Sequence, residues 1–99
     1  MRVVWTSVAE KYYYTIIDYI FENWGIKTMN EFIDEVEKCM TIIEGNPYCF
    51  EEYTFNKDYR KGIIHQNVSF FYRIYSNEIV VHLFWNNSQN PKKLQKILK

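Results

Sequence analysis

The sequence predicts an α+β fold in which an N-terminal strand and an α-helical hairpin pack on a mostly antiparallel sheet, followed by a short C-terminal helix. The first half carries two apolar stripes with helical spacing, and from Phe50 onward the apolar residues alternate instead. With 99 residues, 47% of them hydrophobic, the chain has enough apolar material for one core. We therefore expect residues 1–99 to form a single domain.

The first half predicts a strand and then two helices. Residues 2–5 are rich in β-forming side chains. The Ser-Val-Ala-Glu run at residues 7–10 has the spacing of a capping box, with its serine as the cap. The apolar stripe that follows ends at Gly25, a typical residue just after a helix. A second box at residues 28–31 predicts a second helix that ends at Gly45.

The second half predicts four strands and a last helix, which gives the order β-α-α-β-β-β-β-α. The strand candidates lie near residues 51–55, 59–65, 68–75 and 79–85. Asn90 and Pro91 predict a short helix, because asparagine caps a helix and proline fits its first position. Leu94, Ile97 and Leu98 would form its apolar edge.

The net charge of zero hides a difference between the two halves. Residues 1–50 contain four basic and eight acidic side chains, whereas residues 51–99 contain eight basic and four acidic ones. An anionic partner would therefore meet the C-terminal half, unless acidic helices simply lie beside a basic sheet.

Several classes of protein are disfavoured by the sequence. It has no apolar run near the roughly 20 residues that a membrane span needs, and the N-terminal residues are unlike a signal peptide. We therefore expect a cytoplasmic protein without a membrane partner. Cys39 and Cys49 lack metal-ligand spacing, so we expect two packed thiols and neither a metal nor a cofactor.

Strand parity places Arg73 and His82 on the same face of the predicted sheet. A two-residue loop at Ser76-Asn77 or Asn77-Glu78 gives paired residues of the last two strands opposite parity. A three-residue loop would move His82 to the other face. That other face is more uniformly apolar, so we expect the helices to cover it and to leave the Arg73 face open. The residues of the covered, more apolar face would be Phe70, Tyr72, Ile74, Ile79, Val81, Leu83 and Trp85.

A loop at Gln66-Asn67 would place Arg60 directly opposite Arg73. Like charges in facing positions destabilise a sheet, so this pair predicts a bound anion such as a phosphate or a carboxylate. Alternatively, either arginine turns outward or pairs with one of the acidic residues Glu51, Glu52 and Glu78.

Three further side chains complete the candidate site. His82 has a suitable pKa for a general acid near neutral pH, although a hydrogen-bonded packing histidine would look the same in sequence. Lys92 and Lys93 in the last helix could bind an anionic partner, or could form a solvated helix face.

Four segments, taken with the order of elements, resemble the RelE/ParE superfamily of toxins from bacterial type II toxin-antitoxin modules. These are residues 3–9 (Val-Val-Trp-Thr-Ser-Val-Ala), 19–25 (Tyr-Ile-Phe-Glu-Asn-Trp-Gly), 71–74 (Phe-Tyr-Arg-Ile) and 87–94 (Asn-Ser-Gln-Asn-Pro-Lys-Lys-Leu). The resemblance implies the fold described above, a cognate antitoxin as partner, and an activity that inhibits growth.

The superfamily has two activities. Its ribonuclease members cut messenger RNA on the ribosome with basic residues on the open sheet face and without a metal. By an ungapped alignment, the family's cationic positions fall on Arg60, Gly62, Ser69, and Ser88 or Gln89, so only the first stays cationic. The other branch poisons DNA gyrase by binding and has no catalytic residue of its own.

The Trp-Gly helix end and the lysine-containing tail resemble the gyrase-binding branch more closely. We therefore expect a toxin that binds DNA gyrase, with its anion or target contacts at Arg60, Arg73, Lys92 and Lys93. A metal-independent, ribosome-associated mRNA endonuclease is the alternative, and Arg60, Arg73 and His82 would then be catalytic. A further alternative is an inactive or regulatory partner of the antitoxin.

Overall fold

A computed structural model describes residues 1–65 and 67–99, and it confirms the predicted α+β class. Its elements are β1 (Arg2–Trp5), α1 (Ser7–Gly45), β2 (Arg60–His65), β3 (Val68–Ile74), β4 (Glu78–Asn86) and α2 (Pro91–Ile97). The strands form one sheet in the order β1-β4-β3-β2, in which only the β1–β4 pair is parallel. No helix within the described residues is both long and apolar enough to cross a bilayer.

Helix α1 is a hairpin that reverses at Gly25. A straight helix of its 39 residues would be about 58 Å long at 1.5 Å per residue, yet the longest dimension of the molecule is 39 Å. Gly25 has φ 87° and ψ −178°, a conformation nearly restricted to glycine. The rings of Tyr13 and Phe32 lie 6.2 Å apart across the hairpin. We call residues 7–24 the first arm and residues 26–45 the second arm.

Neither helical arm begins at the residue that its predicted capping box indicates. The N-cap of α1 is Thr6, one residue before the predicted serine, and its Oγ1 accepts a hydrogen bond from the Ala9 N–H at 3.0 Å. Thr6 is held there because its own N–H donates to the Val81 carbonyl at the end of the β1–β4 pairing. Helical conformation resumes at Ile26, directly after the reversal, so Thr28 lies inside the second arm.

The first face of the sheet packs against the hairpin and forms the main core. Val36 and Ile43 of the second arm and Ala9 and Ile16 of the first arm are buried against it. The sheet residues on this face are Ile64, Val68, Phe70, Tyr72, Ile79, Val81 and Phe84.

The second face is partly covered, and the prediction that it is open is wrong. The loop at residues 53–59 and helix α2 pack on it and bury a second cluster: Tyr53, Tyr59, Phe71, Leu83, Trp85, Leu94 and Leu98. Leu83 and Trp85 therefore lie opposite to the predicted face, and Phe84 joins the hairpin face instead. The cause is a β-bulge, because Tyr72 pairs with Val81 whereas Phe71 pairs with Leu83.

The predicted strand at residues 51–55 is also wrong. Only an isolated bridge joins Glu52 to Arg60. The Asn56 side-chain oxygen accepts from the Asp58 N–H at 3.1 Å, which closes a turn, and the Tyr53 N–H donates to the Tyr59 carbonyl at 2.8 Å. The chain therefore folds back as a compact loop.

Helix α2 begins as predicted. The Asn90 side chain accepts from the Lys92 N–H at 2.9 Å, and Pro91 occupies the first helical turn. Leu94 and Leu98 are buried, whereas Ile97 is exposed and does not belong to the apolar edge.

The two cysteines are both free thiols, but only one is packed. Cys39 lies in the main core, where burial raises the pKa of its thiol. Cys49 is exposed, so the expectation of two packed thiols is wrong for this residue. It lies in the segment that follows α1, outside the hydrophobic clusters.

Candidate functional site

Arg73 and His82 lie together on the second face, beside two tyrosines. The Arg73 guanidinium lies over the rings of Tyr59 and Tyr75, at 5.4 and 5.6 Å from their centroids. His82 Nε2 is 3.4 Å from the Tyr75 hydroxyl, and the His82 and Tyr59 rings meet edge to face at 5.4 Å. We call these four residues, with Asp58, the Arg73 cluster.

Several elements of the fold position this cluster. Arg73 lies in β3, directly opposite Val80 of β4, and Tyr75 follows where its N–H donates to the Glu78 carbonyl across the Ser76-Asn77 loop. This loop confirms one of the two predicted turns. His82 has no paired residue in β3, because it is the extra residue at the bulge. Arg73 and His82 share a face as predicted, because both contact Tyr59 and Tyr75 on the second face.

The electrostatics of the cluster favour an anion beside Arg73. Burial, and secondarily the Arg73 charge, lower the pKa of His82 below its usual 6.5, so the imidazole is neutral at pH 7. Asp58 Oδ2 is 3.8 Å from the guanidinium, and 70% of the Asp58 side chain is exposed. Such an exposed pair is worth about 0–1 kcal/mol, so Arg73 can exchange this contact for another anion.

Arg60 does not face Arg73, contrary to the sequence prediction. It pairs with Tyr72, on the opposite face of the sheet, because a bulge shifts the β2–β3 register between Ile63 and His65. The pairing of His65 with Val68, which a Gln66-Asn67 loop requires, is confirmed, but Gln66 itself lies outside the described residues. The shift separates the two guanidinium groups across the sheet.

The Arg60 guanidinium is bound by nearby groups of its own chain. Its Nη1 donates to the Phe50 carbonyl at 2.7 Å, and its guanidinium lies 5.0 Å from the centroid of the Tyr48 ring. These contacts fix the chain that leaves the hairpin. Neither arginine pairs with the predicted Glu51, Glu52 or Glu78 in the described part of the chain.

The other positions that align with the family's cationic residues carry residues that pack in the core or hydrogen-bond within a turn. A Cβ at Gly62 would lie 2.2 Å from the fully buried Phe70 ring. Ser69 is fully buried and hydrogen-bonds the Asn87 side chain. The Ser88 hydroxyl donates to the Asn86 side chain at 2.7 Å, which fixes the turn before α2. No cation converges on Arg73 from these positions.

Lys92 and Lys93 lie exposed in the first turn of α2. Because Leu94 and Leu98 pack in the same cluster as Tyr59, this helix covers the same face of the sheet that carries the Arg73 cluster. The face therefore carries Arg73 and a helix that bears exposed lysines.

Sequence reasoning missed Asp58 and Tyr59 as members of the site. Parity could not have found Tyr59, because the predicted register placed Arg60 on the Arg73 face and therefore its neighbour Tyr59 on the opposite face. Within the described ranges, no group of three or more His, Cys, Asp or Glu side chains could hold a metal ion.

Comparison with known proteins identifies relatives of the chain. The family model described as the ParE toxin of the type II toxin-antitoxin system parDE matches residues 3–91. No curated protein matches the chain. A chain of the chromosomal ParDE TA system from P. aeruginosa superposes with a TM-score of 0.75 at 14% identity, covering 87% of this chain and 95% of that one.

A second solved structure is the YoeB/ParE toxin from Agrobacterium tumefaciens. It superposes with a TM-score of 0.62 at 12% identity and covers 87% of this chain and 98% of that chain. At these identities, the two superpositions show that the fold is shared.

Proposed function

Because this chain belongs to the ParE toxin family of type II toxin-antitoxin systems, we propose that it arrests growth by binding DNA gyrase. As a type II toxin, it has a cognate antitoxin as partner. The proposed target would place its action in the cytoplasm. The contacts we assign to the target are Arg73, Lys92 and Lys93, which lie on the second face of the sheet or on the helix that covers it.

The observation that carries this proposal is the separation of Arg60 from Arg73. Metal-independent cleavage of RNA needs groups that deprotonate the 2′-hydroxyl, stabilise the phosphate charge and protonate the leaving oxygen. Such groups must converge on one phosphate. Here Arg60 is bound to the Phe50 carbonyl on the other face, and Gly62 and Ser69 occupy positions that admit no cation.

The chain's charge also supports a protein target. Nucleic-acid affinity comes largely from basic residues that neutralise phosphates, and a net charge of zero gives little of this attraction. A small basic surface beside the exposed Tyr75 ring fits an acidic patch on a protein.

Metal-independent RNA cleavage is the second candidate function, and one observation favours it. A guanidinium, an imidazole and a phenol meet in the Arg73 cluster, and the depressed pKa of His82 leaves the imidazole neutral and able to accept a proton. In that reading His82 and Arg73 would act without Arg60.

Expression without the antitoxin tests the proposal. Purified protein added to gyrase and supercoiled DNA should trap cleavage complexes, and arrested cells should show a DNA-damage response with intact transcripts. Ribosome-dependent cuts in messenger RNA without trapped gyrase would establish the ribonuclease instead. Normal growth of the induced cells would leave only the inactive or regulatory partner.

Two variants test the contact surface. Arg73→Ala should reduce gyrase trapping about tenfold or more while the protein stays folded, because one half-buried cation that a partner can reach is lost from the binding face. Arg60→Ala should leave trapping by the folded fraction unchanged and lower the melting temperature, because its role is to hold the Phe50 carbonyl. Equal trapping by wild type and Arg73→Ala would contradict the assigned surface.

A further inference from the structure

A groove of about 640 Å³ separates the tip of the hairpin from the turn between β2 and β3, far from the residues of the Arg73 cluster in the fold. Ile20 and Phe32, only 6% and 3% exposed, form its apolar base. Trp24, which is 60% exposed, lines the groove together with Glu31 and Glu35. The groove therefore combines an apolar base with an indole and two carboxylates.

The fold holds these groups in place. Trp24 is the last residue before the reversal at Gly25, and its indole meets the Tyr19 ring edge to face at 5.5 Å. Glu31 and Glu35 are four residues apart in the second arm, so they share one side of the helix. The antiparallel arms bring the indole and the carboxylates to the same groove.

This combination is complementary to a cation on an apolar stem. The face of an indole attracts an ammonium or guanidinium group, and carboxylates accept charge-assisted hydrogen bonds from it. The long stems of lysine and arginine can lie along an apolar base. Glu35 is 3.4 Å from Lys38 in an exposed pair, and Glu31 has no ion-pair partner among the residues that the structure describes.

The charge of the whole hairpin favours a basic partner. Helix α1 carries eight acidic and three basic side chains, so it repels nucleic acid and anionic lipid surfaces. A family member has an antitoxin, which is the partner available to it in the cell.

We propose that this groove receives a lysine or arginine side chain of the cognate antitoxin, with a neighbouring large apolar residue packed on Ile20 and Phe32. The cation lies between the Trp24 indole and the Glu31 and Glu35 carboxylates. This inference rests on the toxin family and is independent of whether gyrase is the target.

A charge-neutral pair of variants tests the proposal against a matched control. Glu31→Gln/Glu35→Gln should weaken binding of the full-length cognate antitoxin by about tenfold or more in a titration. Asp34→Asn/Glu37→Gln removes the same charge from exposed positions that line a different surface of the same arm. Its affinity should stay within about twofold of wild type.

The outcomes separate the possible explanations. Equal affinities for the groove variant and wild type, or equal losses in both double variants, would overturn the proposal, because the second result is a long-range charge effect. Circular dichroism and unfolding curves ensure that both variants are folded.

The indole and the occupant have their own tests. Trp24→Leu keeps the apolar bulk but lacks the aromatic face, so it should weaken antitoxin binding more than Trp24→Phe does. A concentration-dependent dimer of the toxin alone that Glu31→Gln/Glu35→Gln abolishes would assign the groove to a second copy and overturn the antitoxin assignment. These binding measurements do not use toxicity, so they stand apart from the gyrase assays.

Discussion

Arg60 and Arg73 carry the same charge in different surroundings, and these surroundings determine what each can do. Arg60 donates to a main-chain carbonyl at 2.7 Å beside the Tyr48 ring, so its guanidinium is held against its own chain. Among the residues that the structure describes, Arg73 contacts an exposed carboxylate at 3.8 Å and two aromatic faces. A cation of this second kind can bind an external anion at little cost.

Gly62 is required by the packing of Phe70. An added Cβ would lie 2.2 Å from the ring, which is fully buried and cannot move freely. Gly62→Ala should therefore lower the free energy of unfolding by about 1–3 kcal/mol in urea denaturation.

Gly45→Ala is the matched control for this substitution. No atom lies within 4 Å of the added Cβ, and Gly45 still has helical backbone inside α1, where alanine is more favourable than glycine. Its stability should be equal to wild type or slightly higher. A Gly62→Ala protein as stable as Gly45→Ala would contradict the packing argument.

His82 should make stability depend on pH in the neutral to acidic range. Burial and the nearby Arg73 charge lower its pKa below 6.5 in the folded state, so the unfolded chain binds more protons there. The free energy of unfolding should therefore fall as the pH is lowered from about 7 to about 5. Urea titrations of wild type and His82→Gln measure this, and identical pH dependence in the two proteins would disprove it.

At the level of elements, the helices could be predicted largely from local sequence and the faces of the sheet could not. Gly25 ends a helical arm through its backbone conformation, and Asn90 caps α2 through its side chain. Both effects are local, so they can be predicted from the neighbouring sequence. Side-chain parity along a strand, in contrast, reverses at every bulge. The bulges near Ile64 and His82 leave no mark in the alternating pattern, and they moved Arg60 and Trp85 away from their predicted faces.

Helix α2 and its C-cap pack on the second face through Leu94 and Leu98. Leu94 is 5% exposed within the cluster that holds Tyr59 and Trp85, whereas Ile97 is 37% exposed. Leu94→Ala should lower the free energy of unfolding by about 2–5 kcal/mol, and Ile97→Ala by less than about 1 kcal/mol. Chemical denaturation of both variants tests this, and equal effects would show that α2 does not pack as described.

For the whole molecule, the separation of charge assigns two surfaces to two partners. The acidic hairpin carries the groove proposed for the antitoxin, and the sheet and α2 carry the cations proposed for the target. With this division, a chain of zero net charge would still offer a basic surface to the proposed target. Antitoxin binding and target binding should therefore respond to different substitutions.

The lysines of α2 provide the test of that division. Lys92→Gln/Lys93→Gln should raise the toxin dose needed for growth arrest about tenfold, because exposed charges at an interface accelerate association. Its affinity for the antitoxin should stay within about twofold of wild type. Lys11→Gln/Lys38→Gln makes the same change in charge on the hairpin and should leave the toxic dose unchanged. If the hairpin variant loses toxicity as much as the α2 variant, net charge governs the activity and the two-surface assignment fails.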